Sequence, residues 1–247
     1  MQMTLRPSGD CLAQLIDILD SLPLDESRAT VASNLMLINQ LADVEYFIPM
    51  VKKIVADRGA LGEIAARSYR HVNYFDKIVL SESTNPNGYR LTLHLWMPPF
   101  TDRELKKESL HDHRFSFWSA ILVGTLQSEN FIEDSNGQVM QHYQYIPEDR
   151  AGDSRNLYKF IGDTRLLKAS ALERRPGESY YQPYFGVHRV ILPKSISCTI
   201  VLRGPRQKVF TNTFRTDIPK ADTQIVNAMF SADVIEKKLI AIVNARE

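Results

Sequence analysis

The spacing of apolar positions changes twice along this chain, and the changes divide it into three parts. From Cys11 to about Arg70 apolar residues return every three to four positions. "CLAQLIDILDSL" places Leu12, Leu15, Ile16, Ile18 and Leu19 on one side, and "SNLMLINQLADVEYFIPMVKKIVAD" keeps the same period. This predicts helices, punctuated by Pro23, Pro49 and Gly59. Beyond residue 71 the period falls to two. "KIVLSESTNPNGYRLTLHLWMPP" reads as strand, turn and strand about Asn85-Pro86-Asn87-Gly88. Its second strand turns Leu91, Leu93 and Leu95 to one face and Arg90, Thr92, His94 and Trp96 to the other. Further strands are expected at 115–123, 125–132, 139–145, 165–173, 187–192 and 197–203. Short strands set off by Gly, Pro and Asn indicate a closed barrel or a two-sheet jelly roll. "DTQIVNAMFSADVIEKKLIAIVNARE" returns to helical period and predicts a helix across the outside. The expected fold is mainly β: a helical segment over 1–70, a barrel over 71–215 and a C-terminal helix within 216–247.

Composition narrows the partners. Hydrophobic residues make up 44% of the 247, enough for a real core, and 30 basic against 29 acidic residues leave a net charge of +1. Such a balance provides no electrostatic footprint for nucleic acid or an anionic membrane. The uncharged run from Phe115 to Ser128 is about 14 residues, short of the roughly 20 that a spanning helix needs. The N-terminal stretch breaks its apolar positions with Arg6, Asp10 and Asp17, unlike a secretory signal. Cys11 and Cys198 are too few for a disulfide framework. A cytoplasmic location is expected, and nothing sets the oligomeric state.

The candidate chemistry lies in the histidines, of which there are six. "LHDHRFSFWSAILVGTL" sets His111 and His113 one residue apart at the mouth of an apolar run. On a strand, positions i and i+2 share a face, so the two imidazoles would stand side by side. A third ligand is available in "RRPGESYYQPYFGVHRVIL" as His188. His94, among leucines on its strand, reads as a hydrogen-bonded core residue, and His71 and His142 read as surface or loop residues. Nothing beside Cys198 suggests a reactive thiol.

The spacing Gly177, Pro183, His188 resembles the second motif of the cupin superfamily, and the His-x-His pair followed by Gly124 resembles the first. At the place of that motif's usual glutamate stands Phe117 or Trp118. Cysteine dioxygenase and its thiol dioxygenase relatives are cupins that also lack the glutamate. "FGVHRV" and "YRLTLHLWMPP" are similar to their motifs, over roughly residues 10 to 215. The resemblance implies a cupin (double-stranded β-helix) barrel with Fe(II) held by His111, His113 and His188, and open positions for substrate and dioxygen. It implies an oxygenase acting on a small anionic, thiol or amino-acid-like substrate.

The family's carboxylate-binding arginine falls near Lys77, with Arg90 as a second candidate. Its tyrosine falls near Arg203, and its cross-linked cysteine at Phe117 or Trp118. Arg203 and Arg90 are favoured as anion binders, because a guanidinium grips a carboxylate with two donors. Tyr180, Tyr181 or Tyr184 is the replacement phenol, with Tyr181 in the catalytic set. The expected pocket walls are His94, Trp96, Phe117 and Trp118. Two other classes stay open: another metal-dependent cupin enzyme of biosynthesis, or a non-catalytic cupin that binds a small molecule.

Overall fold

A computed structural model of the chain describes residues 10–105, 110–150, 153–216 and 228–246. Four helices come first: α1 (Cys11–Asp20), α2 (Arg28–Ala42), α3 (Val44–Ala56) and α4 (Arg58–Ala65). Each begins at a short acceptor side chain. Asp10 accepts from the Ala13 amide, Ser27 from Thr30, Asp43 from Glu45, and Asp57 from Gly59 and Ala60. These caps satisfy amides that a first helical turn leaves unpaired. Pro49 does not end a helix, as its sequence suggested, but lies inside α3. It removes one helical N–H, and the burial of Tyr46, Phe47, Met50, Val51 and Ile54 carries the helix through.

The strands follow as β1 (Tyr69–Arg70), β2 (Asp76–Glu82) and β3 (Arg90–Trp96), then a short helix α5 (Asp102–Leu105). After it come β4 (Leu110–His111), β5 (Phe115–Val123), β6 (Leu126–Arg150), β7 (Asp153–Arg174) and β8 (Ser179–Gln182). β9 (Val187–Ile191), β10 (Ser197–Arg206), β11 (Thr211–Arg215) and the C-terminal helix α6 (Ala232–Arg246) complete the chain. The strands form two antiparallel sheets, β1-β2-β3-β10-β5-β8 and β11-β4-β9-β6-β7. From β4 onward the chain passes back and forth between them, as in a double-sheet jelly roll.

Two expected strands, 125–132 and 139–145, are one. β6 runs on through a register shift between Glu133 and Gln138, and pairs with β7 along its whole length to Arg150. Its first part also carries β9 and its second part β11. The stretch 146–164 has no apolar alternation to read. The ribbon is held there by cross-strand backbone pairing, with Phe160 and Ile161 exposed.

The leucine face of β3 looks outward. Leu91, Leu93 and Leu95 join Ile78, Leu80, Trp118, Leu122, Ile200 and Leu202 in one cluster with Leu15, Phe47, Ile64, Ile235 and Leu239 of the helices. Each aliphatic side chain so buried contributes ~1.5–3 kcal/mol relative to exposure. The Trp118 indole N–H donates to the Val31 carbonyl at 3.0 Å. Lys238 of α6 donates to buried Asp76 at 2.6 Å, and Arg246 donates to the Leu122 carbonyl at 2.9 Å, so α6 is tied to the same sheet. With its apolar face under helices, the first sheet turns its polar-bearing face to the barrel interior. Among the described residues no helix is long and apolar enough to cross a membrane.

Candidate metal centre

β4 ends at His111, where the chain leaves the second sheet for β5 in the first. His113 falls in this crossover. The two histidines therefore do not share a strand, and the corner between sheets turns them together. The corner is pinned on both sides of Asp112. The Asp112 amide donates to the Asn212 carbonyl at 3.1 Å and the His113 amide to the Tyr184 carbonyl at 3.0 Å. The buried Asp112 carboxylate accepts from the Asn212 amide at 2.7 Å, from Asn212 Nδ2 at 2.6 Å, and from Lys208. His188, on β9, is the direct cross-strand partner of His111.

The three rings form a near-equilateral set, with centroids 4.9 Å apart for His111 and His113, 5.2 Å for His111 and His188, and 5.0 Å for His113 and His188. One donor atom from each lies within 4.8 Å of the others, and His113 Nε2 and His188 Nε2 are 2.8 Å apart. Burial holds His113 well below the usual histidine range and pushes His188 down to about 3, with His111 adding to both. Both rings are neutral at physiological pH, the form that offers a lone pair to a metal. Three convergent imidazoles suit Fe, Zn, Cu or Ni, and the donor set fits ferrous iron. Among the described residues no carboxylate joins the group.

The register across the first sheet sets the wall opposite. Arg90 on β3, Arg203 on β10, Phe117 on β5 and Gln182 on β8 are successive direct partners. Direct partners share a face, and Phe117 lies 5.1 Å from the His113 ring and 6.1 Å from His188, so this row points inward. A second row is Thr92, Val201, Ser119 and Tyr180. A third joins Lys77, His94, Thr199 and Ile121. Lys77, His94, His111 and His113 are only half-buried although they point inward, so side chains do not fill the interior. His94 packs on Phe75 at 4.3 Å and meets Trp96 at 6.1 Å. Trp96, 3% exposed, lies with Phe75 and Ile121 in a small apolar floor.

Not every candidate comes to this wall. Trp118 alternates with Phe117 and lies outside, packed at a tilt 5.2 Å from Tyr181 beneath the helices. Tyr181 donates toward Ser116 Oγ at 3.2 Å on that outer side. Neither faces the histidines. Tyr180 takes the inward place, 6.0 Å from Phe117, with the Arg174 guanidinium 4.1 Å over its ring. His71, expected at the surface or in a loop, lies in the loop after β1 and stacks on Phe75 at 4.4 Å inside the barrel. Burial, with Lys77 and His111 nearby, lowers it to about 3. His142 is half-buried, bonded to Asn212 at 2.8 Å and stacked on Phe214. Sequence reasoning also passed over Asp112, although an acidic residue between two inward histidines must point the opposite way. Cys11 and Cys198 are buried and form no disulfide, and burial raises both thiols.

The cations divide by how they are paired. Arg90 is ion-paired with Glu82. Arg203 is 7% exposed, donates to the Gly88 carbonyl at 2.6 Å and lies 5.3 Å over the Phe115 ring. Burial first, then Arg90, lowers Arg203 to about 10. Lys77 lies 5.9 Å over the Tyr69 ring, and burial, Arg90 and Arg203 lower it to about 7. Folding thus lowers the proton affinity of Lys77. Its buried charge costs stability below about pH 7, and the cost fades as pH rises toward the unfolded value of 10.5. Lys77→Met is expected to raise the melting temperature at pH 6, by about 2–4 °C per kcal/mol gained. The gain should shrink at pH 9.5; thermal melts showing the same gain at both values, or a loss at pH 6, would contradict it.

No protein-family model matches the chain, and no curated protein matches it. Among solved structures, one of the DMSP lyases RdDddP and RnDddQII is similar at 13% identity and a TM-score of 0.30, covering 60% of this chain and 53% of that one. The chain thus spans about half the length of that structure. Hydroquinone 1,2-dioxygenase PnpCD, in complex with Cd2+ and 4-hydroxybenzonitrile, is similar at 10% identity and a TM-score of 0.32, covering 60% and 72%. Hydroxypropylphosphonic acid epoxidase from S. wedmorenis is similar at 11% identity and a TM-score of 0.31, covering 81% and 100%. At these TM-scores the likenesses carry no argument about this chain.

Proposed function

We propose that this protein is an Fe(II)-dependent oxygenase that oxidises a small anionic substrate, thiol- or amino-acid-like, with dioxygen in the cytoplasm. The observation that carries the reading is the convergence of His111, His113 and His188 on one point inside a barrel whose interior is not filled. The barrel holds the site, and the described helices α1–α4 and α6 brace the outer face of its first sheet. Iron, when bound, supplies the redox chemistry that couples dioxygen to substrate oxidation.

The chain's own residues do the rest. Phe117 packs against His113 and His188 and keeps water from that side of the histidines. Arg203, Arg90 and Lys77 receive the anionic group, whose desolvation in the barrel is otherwise costly. Tyr180 is the inward phenol near the substrate space. Trp118 and Tyr181 have no part in the pocket and serve packing under the helices.

The test is oxygen uptake by iron-loaded protein, measured with thiols bearing a carboxylate or an amine. Uptake should depend on both iron and substrate. No uptake across a broad panel of thiols and amino acids, in protein shown to hold iron, would favour a non-catalytic binding module.

A further inference from the structure

Two arginines that face each other on neighbouring strands form an arrangement that sheets avoid. Arg90 and Arg203 are direct partners across β3 and β10, on the inward face. Like charges so placed repel, and nothing in β-sheet formation requires them. Lys77 enters the same interior from β2 and lies within electrostatic reach of both. Three cations therefore share the space with one carboxylate among the described residues, Glu82, which is taken up by Arg90. Arg114 adds positive potential to both Lys77 and Arg203.

The charges left over, Arg203 and Lys77, point into the barrel from the inward face of the first sheet. Arg203 is buried and its Nε has no hydrogen-bond partner. Its other contacts, a backbone carbonyl and the Phe115 ring, neutralise no charge. Lys77 has an aromatic ring beside it, and among the described residues the carboxylate in its reach, Glu82, is held by Arg90. A buried cation without a counter-ion destabilises the fold. Buried Arg203 and half-buried Lys77, facing the same internal space, make an anion site, because a ligand that brings the missing charges removes the cost.

We propose that the barrel interior receives a small molecule carrying two negative charges, one held at Arg203 beside Arg90 and the other at Lys77. The proposal rests on reading the barrel as a small-molecule site and narrows that site's ligand from an anion to a dianion. One charge would satisfy Arg203 and leave Lys77 without a counter-ion in the barrel. A second charge pairs Lys77 as well, in a surrounding that Arg90 and Arg114 keep positive.

The experiment is calorimetric titration of the full-length protein at neutral pH with succinate, inorganic phosphate and, as a singly charged control, butyrate. Succinate and phosphate separate two carboxylates from one phosphoryl group. We expect at least one of them to bind about tenfold or more tightly than butyrate, in line with a second charge-assisted contact. Lys77→Met should reduce that preference to within about threefold. Arg203→Met should weaken both classes of anion. If losing the Gly88 contact unfolds this variant, Lys77→Met, which breaks no hydrogen bond, decides alone. Equal affinity for butyrate and both dianions overturns the proposal, and so does a dianion preference unchanged by Lys77→Met. Metal content measured on the same preparation tests the iron reading separately: metal-free protein that still prefers dianions would sink the oxygenase and keep the anion site.

Discussion

Replacing any one of His111, His113 and His188 with alanine should strip the protein of metal while leaving the barrel folded. The stability of the fold resides elsewhere, in the cluster that joins the outer face of the first sheet to the helices. The metal has only imidazoles to hold it among the described residues. Loss of a residue that merely orients a ligand costs about 10–100-fold in affinity, so loss of a ligand should cost roughly a hundredfold or more. Elemental analysis of protein loaded with ferrous iron, beside circular dichroism and a thermal melt, separates metal loss from unfolding. Unchanged metal content in all three folded variants would end the three-histidine reading.

Asp112→Ala should be the most damaging single change near the site, although Asp112 faces away from it. The carboxylate is buried, and it holds Lys208, whose side chain is 14% exposed, together with two donors of Asn212. Removing one partner of a buried ion pair leaves the other charge uncompensated, at a cost of about 3–5 kcal/mol. The same change frees the crossover that turns His113 toward His188, so iron affinity should fall by about 10–100-fold, as for a residue that orients ligands. Denaturant unfolding measures the first effect and iron titration the second. Adding Lys208→Met should recover part of the stability, because it removes the stranded charge. A loss below about 1 kcal/mol for Asp112→Ala would mean that the pair is solvated and the corner is held by something else.

Much of the architecture was legible because it rests on local periodicity. The leucines of "YRLTLHLWMPP" declared one face of β3 and the residues Arg90, Thr92, His94 and Trp96 the other, and the sheet keeps that division. The helical period of the N-terminal region was equally local. What failed to show was structure held by partners distant in sequence. The far part of the β6–β7 ribbon has backbone pairing in place of an apolar face, so it carries no alternation. Pro49 was read as a stop because the burial that sustains α3 is tertiary.

Residue type and spacing alone specify a mainly β chain with flanking helices, a His-x-His pair and a later histidine, and the candidate cations Lys77, Arg90 and Arg203 on strands. Both act over a few positions. Only the tertiary structure decided that the leucine face looks out to the helices and that the polar-bearing face looks in. That choice places Phe117 and Tyr180 at the histidines and sends Trp118 and Tyr181 outside. It also brings His71 into the interior and gathers Lys77, Arg90 and Arg203, three alternatives along the chain, into one set in space. Alternation tells which side chains share a face but not which face is covered. Which face the helices cover is set by where the whole chain finds its largest apolar area to bury.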